Sequence, residues 1–175
     1  MTRLPQKEFT QWEPSVVAYK KLKRFTRLQL AYISWLKTLG SPTHAVTLTF
    51  KRHSHETIQL WSVSIIKDSL KVFLSILNKN VFGKHAKKNN QCVMSAVVIG
   101  TGTYGKHPHA HLALQKPDHL SWDKFTELIV KPINATHWMD REFIIEPYES
   151  DGWLEYMVGH GEEDLLIDLC TPARP

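Results

Sequence analysis

Apolar residues recur along this chain in two periods, and the changes of period mark out its elements. From Ser15 to Leu39 the apolar positions Leu22, Phe25, Leu28 or Gln29, Tyr32 and Leu36 follow helical spacing. Gly40-Ser41-Pro42 ends that helix. Thr43 to Lys51 then alternates, with Val46, Leu48 and Phe50 on one face and Ala45, Thr47 and Thr49 on the other. Alternation of this kind predicts a half-buried strand. Ser54 is an N-cap candidate for a helix from about His55 to Asn78, striped by Trp61, Ile65, Ile66, Leu70, Phe73 and Leu77. Asn78 to Gln91 is polar and basic and reads as a loop.

Cys92 to Thr101 is a strand centred on Val93, Val97, Val98 and Ile99. Turn residues follow at Gly102 to Lys106, and a second strand runs on to Leu114, so the two form an antiparallel hairpin. Pro108 lacks an amide donor, which predicts an edge strand or the start of a strand. Ser121 caps a short helix bearing Trp122, Phe125, Leu128 and Ile129, with Pro132 expected to limit it. Arg141 to Pro147 is a further strand, and Ser150 or Asp151 caps a last helix from about Trp153 to His160. Glu162 to Cys170 either extends that helix or docks as a tail. The order α, β, α, β-β, α, β, α predicts an α+β fold, a central antiparallel sheet with helices packed on it. A single domain is expected across residues 1–175, with an N-terminal arm over 1–14 and a C-terminal tail over 161–175.

Composition adds three constraints. With 42% hydrophobic and 22% charged residues, 175 residues suffice for a packed core. A net charge of +5 favours a polyanionic partner, and Lys20, Lys21, Lys23, Arg24 and Arg27 concentrate it at the start of the first helix. A solvated helix face accounts for that cluster equally well. Cys92 and Cys170 are far apart and form no CxxC, so neither a disulfide framework nor a zinc knuckle is indicated. The first residues lack the pattern of a signal peptide, and no apolar run matches a membrane span. The expectation is a cytoplasmic protein without membrane contact.

The candidate chemistry lies in Lys106-His107-Pro108-His109-Ala110-His111-Leu112-Ala113-Leu114. Alternate strand residues share a face, so His107, His109 and His111 point one way and Ala110, Leu112 and Leu114 the other. Imidazoles at alternate strand positions can reach one metal ion. A histidine-rich strand facing solvent is the plainer reading. The second candidate is the helix Trp153 to His160, in which Tyr156 and His160 stand one turn apart on one side. His160 could join the strand histidines as a ligand, and Tyr156 would present its hydroxyl beside the ion. A phenol, poorly nucleophilic with a pKa near 10, gains from such company. An ordinary packed aromatic is the competing account of Tyr156. Gly102-x-x-Gly105-Lys106 lacks the spacing of a phosphate-binding loop and precedes a strand.

These blocks, in this order, resemble the HUH endonuclease superfamily, specifically its rolling-circle replication initiators with a single catalytic tyrosine. Val46-Thr47-Leu48-Thr49-Phe50 is similar to the first motif of that group, His109-Ala110-His111-Leu112-Ala113-Leu114 to the second, and the helix carrying Tyr156 to the third. The resemblance spans about residues 43 to 160. It implies an RRM-like sheet and a nick in single-stranded DNA made through a 5′-phosphotyrosine, with Mg²⁺ or Mn²⁺ as cofactor. It also implies a free 3′ hydroxyl that primes replication of a phage or plasmid.

Two positions depart from the initiators. Many of them carry an acidic ligand on the strand before the histidine pair, where this chain has Ala96-Val97-Val98-Ile99-Gly100-Thr101. Many also carry a lysine after the tyrosine, where Gly159 stands. The single-tyrosine transposases of the superfamily take a third ligand from the position His160 occupies, which makes His160 the expected third ligand and His107 the second choice, as metal ligand or substrate contact. Thr47, Thr49, Lys106 and Arg141 are candidate DNA contacts, and a host helicase is the expected unwinding partner. A single-tyrosine transposase is the alternative within the superfamily. A metal-stabilised DNA-binding protein without catalysis and a zinc hydrolase are the alternatives outside it.

Overall fold

The computed structural model describes residues 25–52, 62–100, 108–159 and 165–174. Helix α1 (Arg27–Lys37) begins at an N-cap, Thr26, whose hydroxyl accepts from Gln29 N while Gln29 Oε1 accepts from Thr26 N. That reciprocal pair satisfies two orphan amides of the first turn. Strand β1 (His44–Phe50) follows, then α2 (Val63–Phe82), β2 (Ser95–Gly100), β3 (His109–Leu114), α3 (Trp122–Ala135), β4 (Met139–Pro147) and α4 (Gly152–Gly159). The order of elements is the expected one. The four strands form one antiparallel sheet in the order β2-β3-β1-β4.

Strand alternation sends each strand's side chains to two faces, and each face is covered differently. On one, Val46, Leu48, Phe50, Val97, Ile99, Ala110, Leu112 and Leu114 bury against α2 and α3, through Ile66, Leu70, Phe73 and Leu77 and through Phe125, Leu128, Ile129 and Ile133. On the other, Ala96, Val98 and Ala113 meet Ile33 and Leu36 of α1 and Leu154, Met157 and Val158 of α4. The fold is α+β, a central antiparallel sheet with helices packed on it. None of the described helices is long and apolar enough to cross a membrane.

Several element bounds differ from the pattern-based expectation. The described part of α2 starts at Val63 under an N-cap from Ser62, whose hydroxyl accepts from Ile65 N. Ser54 and Trp61 lie outside the described residues. At its other end α2 runs past Asn78 to Phe82, because Val81 and Phe82 still pack on the core. Gly83, at φ 86°, ends it in a conformation that side chains with a Cβ rarely adopt. Pro132 does not stop α3, which continues to Ala135. Pro132 and Ile133 are buried, and the last turn gains a bond from Thr136 Oγ1 to Pro132 O at 2.8 Å. Burial on the core side thus outweighs the missing amide, so close to the helix end. Pro108 precedes β3 and accepts from Phe50 N, which places it at the start of a strand that is central in the sheet.

The C-terminal residues dock on the outer edge of β2 rather than extending α4. Leu165, Thr171 and Arg174 bridge to Val98, Ser95 and Cys92. The buried Cys170 sits at the centre of this strap, its sulfur 3.3 Å from Val97 N, and burial pushes its thiol up to about 11. Neither cysteine is in a disulfide.

Candidate functional site: the imidazole pair beneath the α4 tyrosine

The site grows from the pairing of β3 with its neighbours. His109 and His111 fall on the face that carries α1 and α4, because Ala110, Leu112 and Leu114 take the other. Register sets their company: Thr49 opposes His109 and Thr47 opposes His111 on β1, while Gly100 and Val98 oppose them on β2. The two imidazole centroids are 4.8 Å apart. His111 is buried at 3% exposure, and its Nε2 is sealed from solvent. Its Nδ1 lies 3.0 Å from Thr47 Oγ1. His109 is half-buried.

Helix α4 brings the phenol to this pair. Tyr156 is half-buried, and its ring centroid is 5.0 Å from that of His111, edge to face. Trp153 completes a cluster of rings: it stacks on Tyr156 at 5.4 Å and meets His111 edge-on at 5.4 Å. Its indole Nε1 donates to Leu112 O at 3.2 Å, tying α4 to the strand that carries the histidines. Three more contacts hold α4 in place. Gln29 Nε2 donates to Val158 O, Ser150 Oγ accepts from Gly152 N, and Lys37 pairs with Asp151 at 2.9 Å. Tyr148 Oη also donates to Asp151, at 3.0 Å. The Lys37 ammonium, then the Tyr148 hydroxyl, hold the Asp151 carboxyl below its ordinary range. Burial, then Asp151, push the Tyr148 phenol up.

The donor set fits a metal ion in part. Imidazoles that share one ion at bond lengths near 2.1 Å place their centroids about 4.5–5 Å apart at ordinary coordination angles. The His109–His111 spacing falls in that range. A ligating histidine usually has its second nitrogen engaged by a neighbour, and His111 has Thr47 in that role. Imidazole nitrogen suits Mn²⁺ better than Mg²⁺, which prefers an all-oxygen shell. Among the described residues no group of three His, Cys, Asp or Glu side chains converges on one point. His107 and His160, the two candidates for a third ligand, lie outside the described residues, as does Lys106.

The remaining candidate contacts are placed elsewhere or are engaged. Thr49 Oγ1 donates to Glu142 O. Arg141 lines a surface cavity with Lys51, His137 and the end of α3, a cavity that none of His109, His111 and Tyr156 lines. Three residues that belong to no sequence motif are prominent in the structure. Trp153 stands three residues before Tyr156, a spacing that already puts both on one side of a helix. Gly100 appeared only as a missing carboxylate. His44 is fully buried on the α3 side, stacked on Trp122 at 3.7 Å, with Nδ1 2.8 Å from Thr43 Oγ1. Its place in the alternation of β1, in phase with Val46 and Leu48, was the signal.

Searches of family models, curated proteins and solved structures find no match to this chain.

Proposed function

We propose that the chain is a DNA-nicking and strand-joining enzyme of the HUH type, acting on single-stranded DNA through Tyr156. The reading rests on one observation above all: a tyrosine from α4 packs 5.0 Å from the inner member of a histidine pair, on the same face of the sheet. A Mn²⁺ or Mg²⁺ ion held by His109 and His111 would draw electron density from a phosphate oxygen and make the phosphorus more electrophilic. Tyr156 Oη then attacks that phosphorus. The Oη–P bond forms as the phenol gives up its proton, the P–O3′ bond breaks, and the departing 3′ oxygen takes up a proton. The DNA is left as a 5′-phosphotyrosine and a free 3′ hydroxyl, and the reverse reaction rejoins a strand without an energy source. Trp153 and the α1 contacts keep Tyr156 over the pair throughout. Initiation of rolling-circle replication is the biological role proposed, since the freed 3′ hydroxyl is a primer.

The test is a covalent adduct. Wild-type protein incubated with labelled single-stranded oligonucleotides and Mn²⁺ should give a protein–DNA band that survives SDS, and Tyr156→Phe should give none while keeping its fold. DNA binding by the wild type with no adduct on any substrate would refute the enzyme and leave a DNA-binding protein. Cleavage without an adduct that persists in Tyr156→Phe would assign hydrolysis instead.

A further inference from the structure

The two strands that flank β3 each place one unusual feature against an imidazole. On the β1 side, the Thr47 hydroxyl lies 3.0 Å from His111 Nδ1. On the β2 side, the partner of His109 is Gly100. A Cβ built on Gly100 would stand 2.2 Å from His109 Nε2 and 2.7 Å from Cδ2 and Cε1. Real Cβ contacts to ring atoms do not approach that closely, so any side chain at position 100 requires the His109 ring to move by more than an ångström. The Gly100 backbone has no positive φ that would call for glycine. The absent side chain is therefore explained by the ring it admits.

We propose that Thr47 and Gly100 are the positioning residues of the imidazole pair, an inference that rests on the metal-dependent reading of the site. Thr47 accepts the Nδ1–H of His111 and so presents the Nε2 lone pair as the ligating atom. An imidazole is an acceptor at one nitrogen only, so the partner of Nδ1 decides which nitrogen faces the metal. Gly100 leaves the space in which the His109 ring lies over β2, and that space sets the spacing between the two rings. In this role both residues act through a histidine.

Two measurements on the whole chain test this without relying on nicking. Mn²⁺ binding, followed by loss of the free-ion EPR signal, should weaken about 10- to 100-fold in Thr47→Val and in Gly100→Ala. Thr47→Ser, which keeps the hydroxyl, should bind as the wild type does. Long-range ¹H–¹⁵N spectra of the metal-free protein should show His111 protonated at Nδ1 in the wild type and in Thr47→Ser. In Thr47→Val they should show a shift toward the other tautomer. Unchanged Mn²⁺ affinity in both Thr47→Val and Gly100→Ala, with affinity lost in His111→Ala, would overturn the positioning role and leave the metal site standing. No Mn²⁺ binding by the wild type would overturn the metal-dependent reading itself, and the inference with it. Should Gly100→Ala not fold, the Thr47 pair and the tautomer spectra decide alone.

Discussion

Mild acid should destabilise this protein through His44. The imidazole is fully buried between β1 and α3, stacked on Trp122 and edge-on to Phe125 at 4.9 Å. Nδ1 is 2.8 Å from Thr43 Oγ1, and Nε2 is 3.4 Å from Thr126 Oγ1. No carboxylate stands among these contacts to stabilise a second proton. Burial first, then the Lys116 ammonium, lower its pKa from 6.5 to about 4. Above pH 6.5 the residue is neutral in both the folded and the unfolded chain, and the packing contribution is intact. As pH falls below 6.5 the unfolded chain takes up a proton that the folded chain refuses, so stability drops until the folded imidazole also titrates near 4. The full difference corresponds to about 3 kcal/mol, of which about 2 kcal/mol is lost by pH 5. For a domain of ordinary stability that is a large share. The assay is urea unfolding at pH 7.5, 6 and 5, with His44→Asn as comparator. The asparagine amide can serve Thr43 but does not titrate, so subtracting its pH profile removes the other histidines and carboxylates. Parallel pH profiles for the wild type and His44→Asn would refute the reasoning.

Two further perturbations test the packing that positions the site. Phe73→Ala removes a fully buried ring from the α2 contact with the sheet and should cost about 3–5 kcal/mol in urea unfolding; a loss below 1 kcal/mol would mean that α2 does not close this core. Trp153→Phe keeps an aromatic face for Tyr156 but removes the indole donor to Leu112 O, which should cost about 1 kcal/mol in the same assay; no change would mean that the bond does not hold α4 to β3.

The sheet was legible where its two faces carry different chemistry. Val46, Leu48 and Phe50 against Thr47 and Thr49, and Ala110 and Leu112 against His109 and His111, each declare a period of two. A slip of one residue would bury imidazole among aliphatics. The hairpin of β2 and β3 followed from turn residues between two such runs. Boundaries were less legible, because they depend on partners distant in sequence. Ser62 carries only an ordinary local cap signal, and the turns that follow it are fixed by the packing of Ile66 and Leu70 on the sheet. Pro132 carries a local signal to stop, and a buried last turn overrides it. The strap over β2 had no period to read: Leu165, Thr171 and Arg174 act through isolated bridges to an edge that exists only once the sheet has formed. His109, His111 and Tyr156 were legible by residue type, whereas the roles of Thr47 and Gly100 required the register.

That register makes the imidazole pair inseparable from the fold. Strand β3 is central, so its side chains are confined by β1 on one side and β2 on the other. An edge strand would have offered one neighbour, and one of the two rings would have been left to choose its own rotamer. In the central position Thr47 meets His111 from β1 while the bare Gly100 backbone receives His109 from β2. A slip of β3 by one residue would exchange these contacts for the α2 and α3 core and drive both rings among Ile66, Leu70 and Phe125. Burial of an imidazole without a partner costs on the order of 1–3 kcal/mol, and aliphatic residues would at the same time be turned out toward α4. The hydrophobic energy that selects the pairing of β3 therefore also selects the orientation of its histidines. The site requires no separate folding step, and substitutions that loosen the β1–β3 register should loosen the imidazole pair in equal measure.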